Sequence, residues 1–172
     1  MNIDEKLIID NLMEITNLLD SLNIKWFLFG GGLLGIYRDN KLIPWDNDLD
    51  IAVLAEELEK HFDYIIENLQ QNGFSLYKSN KSFKNIKIAF KKNDFEYELD
   101  GFYSSKSYRM RRLWKYPGHY FEKNQYILFK ESKISTPYPI EDFLKLTYGC
   151  DWKTPIKPKL HEKYTDYINL WC

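Results

Sequence analysis

Apolar residues near the start of the chain recur at helical spacing. Leu7, Ile8, Leu12, Ile15, Leu18, Leu19 and Leu22 form one stripe, which predicts a helix over Asp4–Leu22. The pattern then changes to short apolar blocks. Trp26–Phe29 reads as a buried strand, followed by Gly30, Gly31 and Gly32 and by a short helix from Leu33. Leu49–Leu54 predicts a second strand. Glu56–Asn72 predicts a second amphipathic helix, with Leu58, Phe62, Ile65, Ile66 and Leu69 on one side and a stop at Asn72-Gly73. Phe74–Tyr77, Ile86–Phe90 and Phe95–Tyr103 are strand-like, and Lys91–Asp94 reads as a hairpin turn. Tyr126–Phe129 is strand-like too, and Pro139 opens a helix over Ile140–Tyr148. Helices and strands alternate first and hairpins follow. This order favours an α+β fold, a mixed β-sheet with helices on one side.

With 172 residues and neither repeats nor low-complexity tracts, the chain is expected to form a single domain, 1–172. No apolar run is long enough to cross a bilayer, and the polar start does not read as a signal peptide, so no transmembrane segment is expected. Two cysteines, Cys150 and Cys172, have neither disulfide-framework nor metal-ligand spacing, which points to a reduced, cytoplasmic setting. Net charge is −1, which disfavours double-stranded nucleic acid as a partner. Charge is unevenly spread, however. Residues 1–63 carry thirteen acids against five Lys/Arg, and residues 106–133 carry eight Lys/Arg against two acids. Arg109, Arg111, Arg112, Lys115 and His119 stand there among Tyr108, Trp114, Tyr116 and Tyr120. This stretch reads either as a solvated loop or as a rim for phosphate or an acidic acceptor.

The strongest chemical signal is Asp46-Asn-Asp48-Leu-Asp50, at the entry to the second predicted strand. Alternate residues of a strand share a face, so the three carboxylates can converge. Like charges that close are costly without a cation, and a hard divalent ion, Mg²⁺ or Mn²⁺, is the natural counter-charge. An EF-hand loop is excluded by Ile51, which stands where that loop needs glycine. Upstream, strand, glycines and helix follow in the order by which a backbone approaches a phosphate. The dinucleotide and phosphate-loop fingerprints do not fit.

Together these pieces are similar to the nucleotidyltransferase superfamily. They resemble most closely its LicD/fukutin branch, through Gly31-Gly32-Leu33-Leu34-Gly35, Arg38 and Ile43-Pro44-Trp45-Asp46-Asn47-Asp48-Leu49-Asp50-Ile51. A second patch runs from Thr136 through Pro139-Ile140 to Tyr148-Gly149-Cys150-Asp151-Trp152 and Pro155. The resemblance spans Ile8 to His161, with only a pattern match over Phe74–Phe129. It implies a nucleotidyltransferase-like fold and a metal-dependent phosphotransferase. Such an enzyme moves a substituted phosphate, such as phosphocholine or an alditol phosphate, from a CDP-linked donor to a hydroxyl of a glycan or glycoconjugate. Rival readings are nucleotidyl transfer from a nucleoside triphosphate, a glycosyltransferase with an Asp-x-Asp metal motif, and a non-catalytic nucleotide-binding module.

The expected site follows. Asp46, Asp48 and Asp50 hold the metal, and Gly31 and Gly32 receive phosphate. Arg38 either clamps a phosphate or neutralises the acids. A further carboxylate is expected from the neighbouring strand. Asp100 is the choice for catalysis and metal binding, with Glu98 on the same face able to share the task. His119 and His161 read as surface histidines. Tyr148-Gly149 reads as a helix cap, with Asp151-Trp152 behind it.

Overall fold

A computed structural model describes residues 4–82, 84–112 and 114–155. The first helix, α1 (Glu5–Ser21), is capped by Asp4, whose carboxylate accepts the Leu7 N–H at 3.1 Å. Then come β1 (Trp26–Phe29), α2 (Gly30–Asp39), β2 (Asp48–Leu54), α3 (Ala55–Lys60) and α4 (Phe62–Gln71). The second half holds β3 (Ser75–Ser82), β4 (Asn85–Lys92), β5 (Phe95–Ser105), β6 (Tyr108–Arg111) and β7 (Trp114–Pro117). A 3₁₀ turn at Gly118–Phe121, β8 (Asn124–Phe129), β9 (Ser132–Pro137) and α5 (Ile140–Tyr148) complete it.

The main sheet runs β1-β2-β5-β4-β3. Its centre, β2 on β5, is parallel, and the other pairs are antiparallel. Ile51, Ala52, Val53, Leu99, Gly101 and Phe102 are buried along that central pair, as expected where both faces are covered. Strand β5 outruns the sheet, and its last residues, Tyr103–Ser105, pair with β6, which pairs with β7. Helix α1 lies over β5: Tyr97 Oη donates to Ile8 O at 3.2 Å and accepts from Asn11 Nδ2 at 3.1 Å. Hairpin β8–β9 is a separate sheet held against β1, with Asn124 Nδ2 and Ser135 Oγ both donating to Trp26 O at 2.9 and 2.8 Å.

The α+β reading and most elements agree with this architecture. The predicted helix over 56–72 is two helices, broken at His61, because α3 packs on β2 and β5 whereas α4 packs on β3. Strand β3 extends to Ser82, well past Tyr77; it is an edge strand exposed on both faces, so its polar residues carry no alternation. Strand β9 lacked any turn signal before it. Its hairpin turns at Lys130 and Glu131, two non-glycine residues with φ of 48° and 67°. Among the described residues, no helix is long and apolar enough to cross a membrane.

Candidate active site

Antiparallel pairing sets the end of β1 beside the start of β2, with Phe29 opposite Asp50. The glycines at the start of α2 therefore meet the acidic run directly. The contact is close enough to exclude side chains: a Cβ on Gly30 would overlap Asp50 Oδ2, and one on Gly31 would overlap Asp46 Oδ2. Gly30 also has φ of +68°, a conformation glycine adopts without strain. No side chain caps α2, so its first N–H groups remain available at the bend. Gly32 is buried and leaves room for Leu49 Cδ2, which seats α2 on β2.

The parallel register of β2 and β5 decides which acid joins the cluster. Asp50 stands opposite Glu98, and Ala52 stands opposite Asp100. Carboxylate oxygens of Asp48, Asp50 and Glu98 lie within 4.8 Å of one another. Glu98 also forms an ion pair with Lys87 of β4. Asp100 lies one strand repeat deeper and is fully buried, with Oδ1 2.6 Å from Arg111 Nη2. That contact is an ion pair without hydrogen-bond alignment, since neither Asp100 oxygen nor Arg111 Nε has a hydrogen-bond partner.

Crowded acids hold protons. Desolvation, together with a hydrogen bond to Asp48 and its charge, pushes Asp46 up to about 8. Asp50 is raised well above the carboxylate range, first by desolvation and then by the charges of Asp100, Asp48 and Glu98. Burial pushes Asp100 up to about 7 against the opposing pull of Arg111 and Lys87. A set of hard oxygen ligands this short of positive charge fits a divalent cation.

The acids open onto a cleft of about 160 Å³. It is lined by Phe29, Gly30, Gly31, Asp46, Asp48 and Asp50 and also by Arg111, Trp114, Tyr116, Thr147 and Tyr148. A wider hollow of about 630 Å³, beside Asp20, Lys25 and Tyr126, contains none of these acids.

The predicted residues thus divide. Asp46, Asp48, Asp50 and Gly31 meet at the cleft, while Gly32 and Asp100 lie behind it. Arg38 is turned to Asp39, donating through Nε and Nη2 at 2.9 and 2.7 Å, with Nη1 3.4 Å from Trp152 O. Trp152 is buried and packs on Tyr37, so the second patch braces α2 and brings Thr147 and Tyr148 to the cleft. His119 packs on Tyr120, and His161 lies outside the described residues. Lys87 and Thr147 carried no sequence signal. Arg111 and Trp114 were visible only as part of a basic aromatic stretch.

The model of the family described as "LicD/FKTN/FKRP, nucleotidyltransferase domain" matches residues 23–140. Mouse ribitol-5-phosphate transferase FKTN is 27% identical over 148 residues, covering 81% of this chain and 32% of that protein. An uncharacterized protein of Rickettsia typhi is 34% identical over 125 residues, covering 72% of this chain and 38% of its own length. The chain thus spans about a third of the length of these curated relatives. Among solved structures, the antibiotic-resistance factor ANT(2'')-Ia in complex with adenylyl-2''-tobramycin is similar with a TM-score of 0.52 at 14% identity. That match covers 96% of this chain and 88% of the other. It shows a shared nucleotidyltransferase fold. With the family model covering most of the chain, glycine bend and acidic strand included, the chain belongs to the LicD/FKTN/FKRP family of nucleotidyltransferase-fold domains.

Proposed function

We propose that this domain transfers a substituted phosphate from a CDP-linked donor to a hydroxyl of a glycan or glycoconjugate. The observation that carries the reading is the meeting of Asp48, Asp50 and Glu98 beside an uncapped helix start at Gly30-Gly31. Relatives named as ribitol-5-phosphate transferases make an alditol phosphate the first group to test.

Asp48, Asp50 and Glu98 would hold Mg²⁺ or Mn²⁺. When bound, the ion supplies charge neutralisation and Lewis-acid polarisation of the phosphoryl group. The N–H groups at the start of α2 receive phosphate oxygens, helped by the positive end of the helix. Arg111 adds a fixed positive charge to the cleft, and Asp100 positions it. Asp46 stands in the cleft but outside the converging three, and as a carboxylate it would accept the proton of the acceptor hydroxyl. Asp100 is sealed from the cleft, so we assign it to positioning and give its metal-binding place to Glu98.

The test is nucleotide release. Purified protein with Mg²⁺ or Mn²⁺ is screened against CDP-ribitol, CDP-choline and nucleoside triphosphates, and released CMP is read against transferred nucleotide. Asp48→Asn, Asp50→Asn and Glu98→Gln are expected to abolish CMP release while remaining folded. Wild-type turnover by folded Asp48→Asn and Asp50→Asn variants would overturn the mechanism.

A further inference from the structure

Three aromatic rings are layered behind the cleft. Phe143 of α5 lies nearly parallel to Tyr116 of β7, with centroids 4.9 Å apart and planes 22° apart. Tyr116 in turn lies parallel to Trp114, two residues earlier on the same face of β7, at 6.2 Å and 6°. Phe143 and Tyr116 are buried, at 1% and 3% exposure, whereas Trp114 is only half-buried. Trp114 is therefore the outermost ring of the series, and it lines the same cleft as the carboxylates and the glycine bend. Its neighbour across the β6–β7 hairpin is Arg111, and cross-strand partners share a face.

From this layering we propose that Trp114 is the platform on which the donor's nucleobase stacks. The inference rests on the phosphate-binding role proposed for the helix start at Gly30-Gly31. Phosphate held at Gly30-Gly31 leaves a nucleoside extending across the cleft. The flat surface it meets there is a ring whose plane is already set by two layers beneath it. Tyr116 is buried between Trp114 and Phe143, so the layer beneath Trp114 is fixed before the ligand arrives. Stacking tolerates any base, so this contact supplies affinity and orientation for a nucleoside without choosing among bases.

Calorimetry with the full chain in Mg²⁺ tests the proposal, with CDP and inorganic pyrophosphate as probes. Trp114→Leu keeps apolar bulk and removes the π-face. It should weaken CDP binding roughly ten- to a hundred-fold. Trp114→Phe should retain most of the affinity, and both variants should bind pyrophosphate like the wild type. Undiminished CDP affinity in Trp114→Leu overturns the platform and leaves the donor reading intact. Equal loss of CDP and pyrophosphate makes Trp114 a structural residue and overturns it too. A wild-type protein that binds pyrophosphate but not CDP removes the nucleotide donor and the platform together.

Discussion

Asp100 and Arg111 form a buried ion pair whose polar atoms are incompletely satisfied. Breaking such a pair from one side leaves a charge with no partner and costs about 3–5 kcal/mol, less here to the extent that Asp100 takes up a proton. Arg111→Ala should therefore lower stability by a few kcal/mol in guanidinium unfolding, and adding Asp100→Asn should recover part of the loss. A fully additive double variant would show that the two do not act as a pair. Gly31→Ala tests the cleft at the glycine bend. The new methyl must displace the Asp46 carboxylate, a movable side chain, so CMP release should fall far more than the melting temperature does. A melting temperature that falls in step with activity would make Gly31 a packing residue.

At the scale of elements, strand β5 organises the molecule. It pairs in parallel with β2 to set Glu98 beside Asp50, in antiparallel fashion with β4 to bring Lys87 near, and through its tail with β6. Anything that holds its hairpin with β4 in register also holds the site. The turn of that hairpin is Asn93-Asp94, with φ of 54° and 60°. Two positive values in a two-residue turn are the arrangement that Asn-Gly serves best. Asp94→Gly should stabilise the protein by about 0.5–1 kcal/mol, read as a higher denaturation midpoint with an unchanged slope. Asn93 is kept because its side chain accepts from Asn11 Nδ2 at 3.0 Å. A lower midpoint would mean that the Asp94 side chain itself holds the turn.

Across the whole molecule, one charge imbalance dominates. Asp46 and Asp100 bind protons more tightly in the folded chain than at the ordinary value of 3.8, up to about 8 and about 7, and Asp50 shifts the same way. Their contribution to stability is complete below the ordinary carboxylate range and is lost as pH rises through the folded values. The metal-free protein should therefore lose stability between about pH 4 and pH 8. Millimolar Mg²⁺ or Mn²⁺ should restore it most strongly at the upper end, where the ligands are ionised. Thermal unfolding across this range with and without the cation measures both effects. A metal-independent melting curve at pH 8 would remove the case for a cation site.

The linear sequence determined whatever depends on near neighbours. Alternation put Asp48 and Asp50 on one edge, with Asp46 just ahead of the strand, the glycines stood between an apolar block and a helical stripe, and the helix and strand periods pointed to a mixed sheet. Only the folded chain decided the partners. Parallel register, not spacing, set Glu98 directly opposite Asp50 and Asp100 one strand repeat along, because pairing offset by one repeat leaves every apolar residue on the same face and is invisible to pattern. Hairpins turning at Lys130-Glu131 or near Arg112 lacked the usual turn residues, so β7 and β9 and the aromatic wall they build could not be read in advance. Local chemistry is written in spacing, whereas a site assembled from seven elements depends on long-range packing that no single stretch encodes.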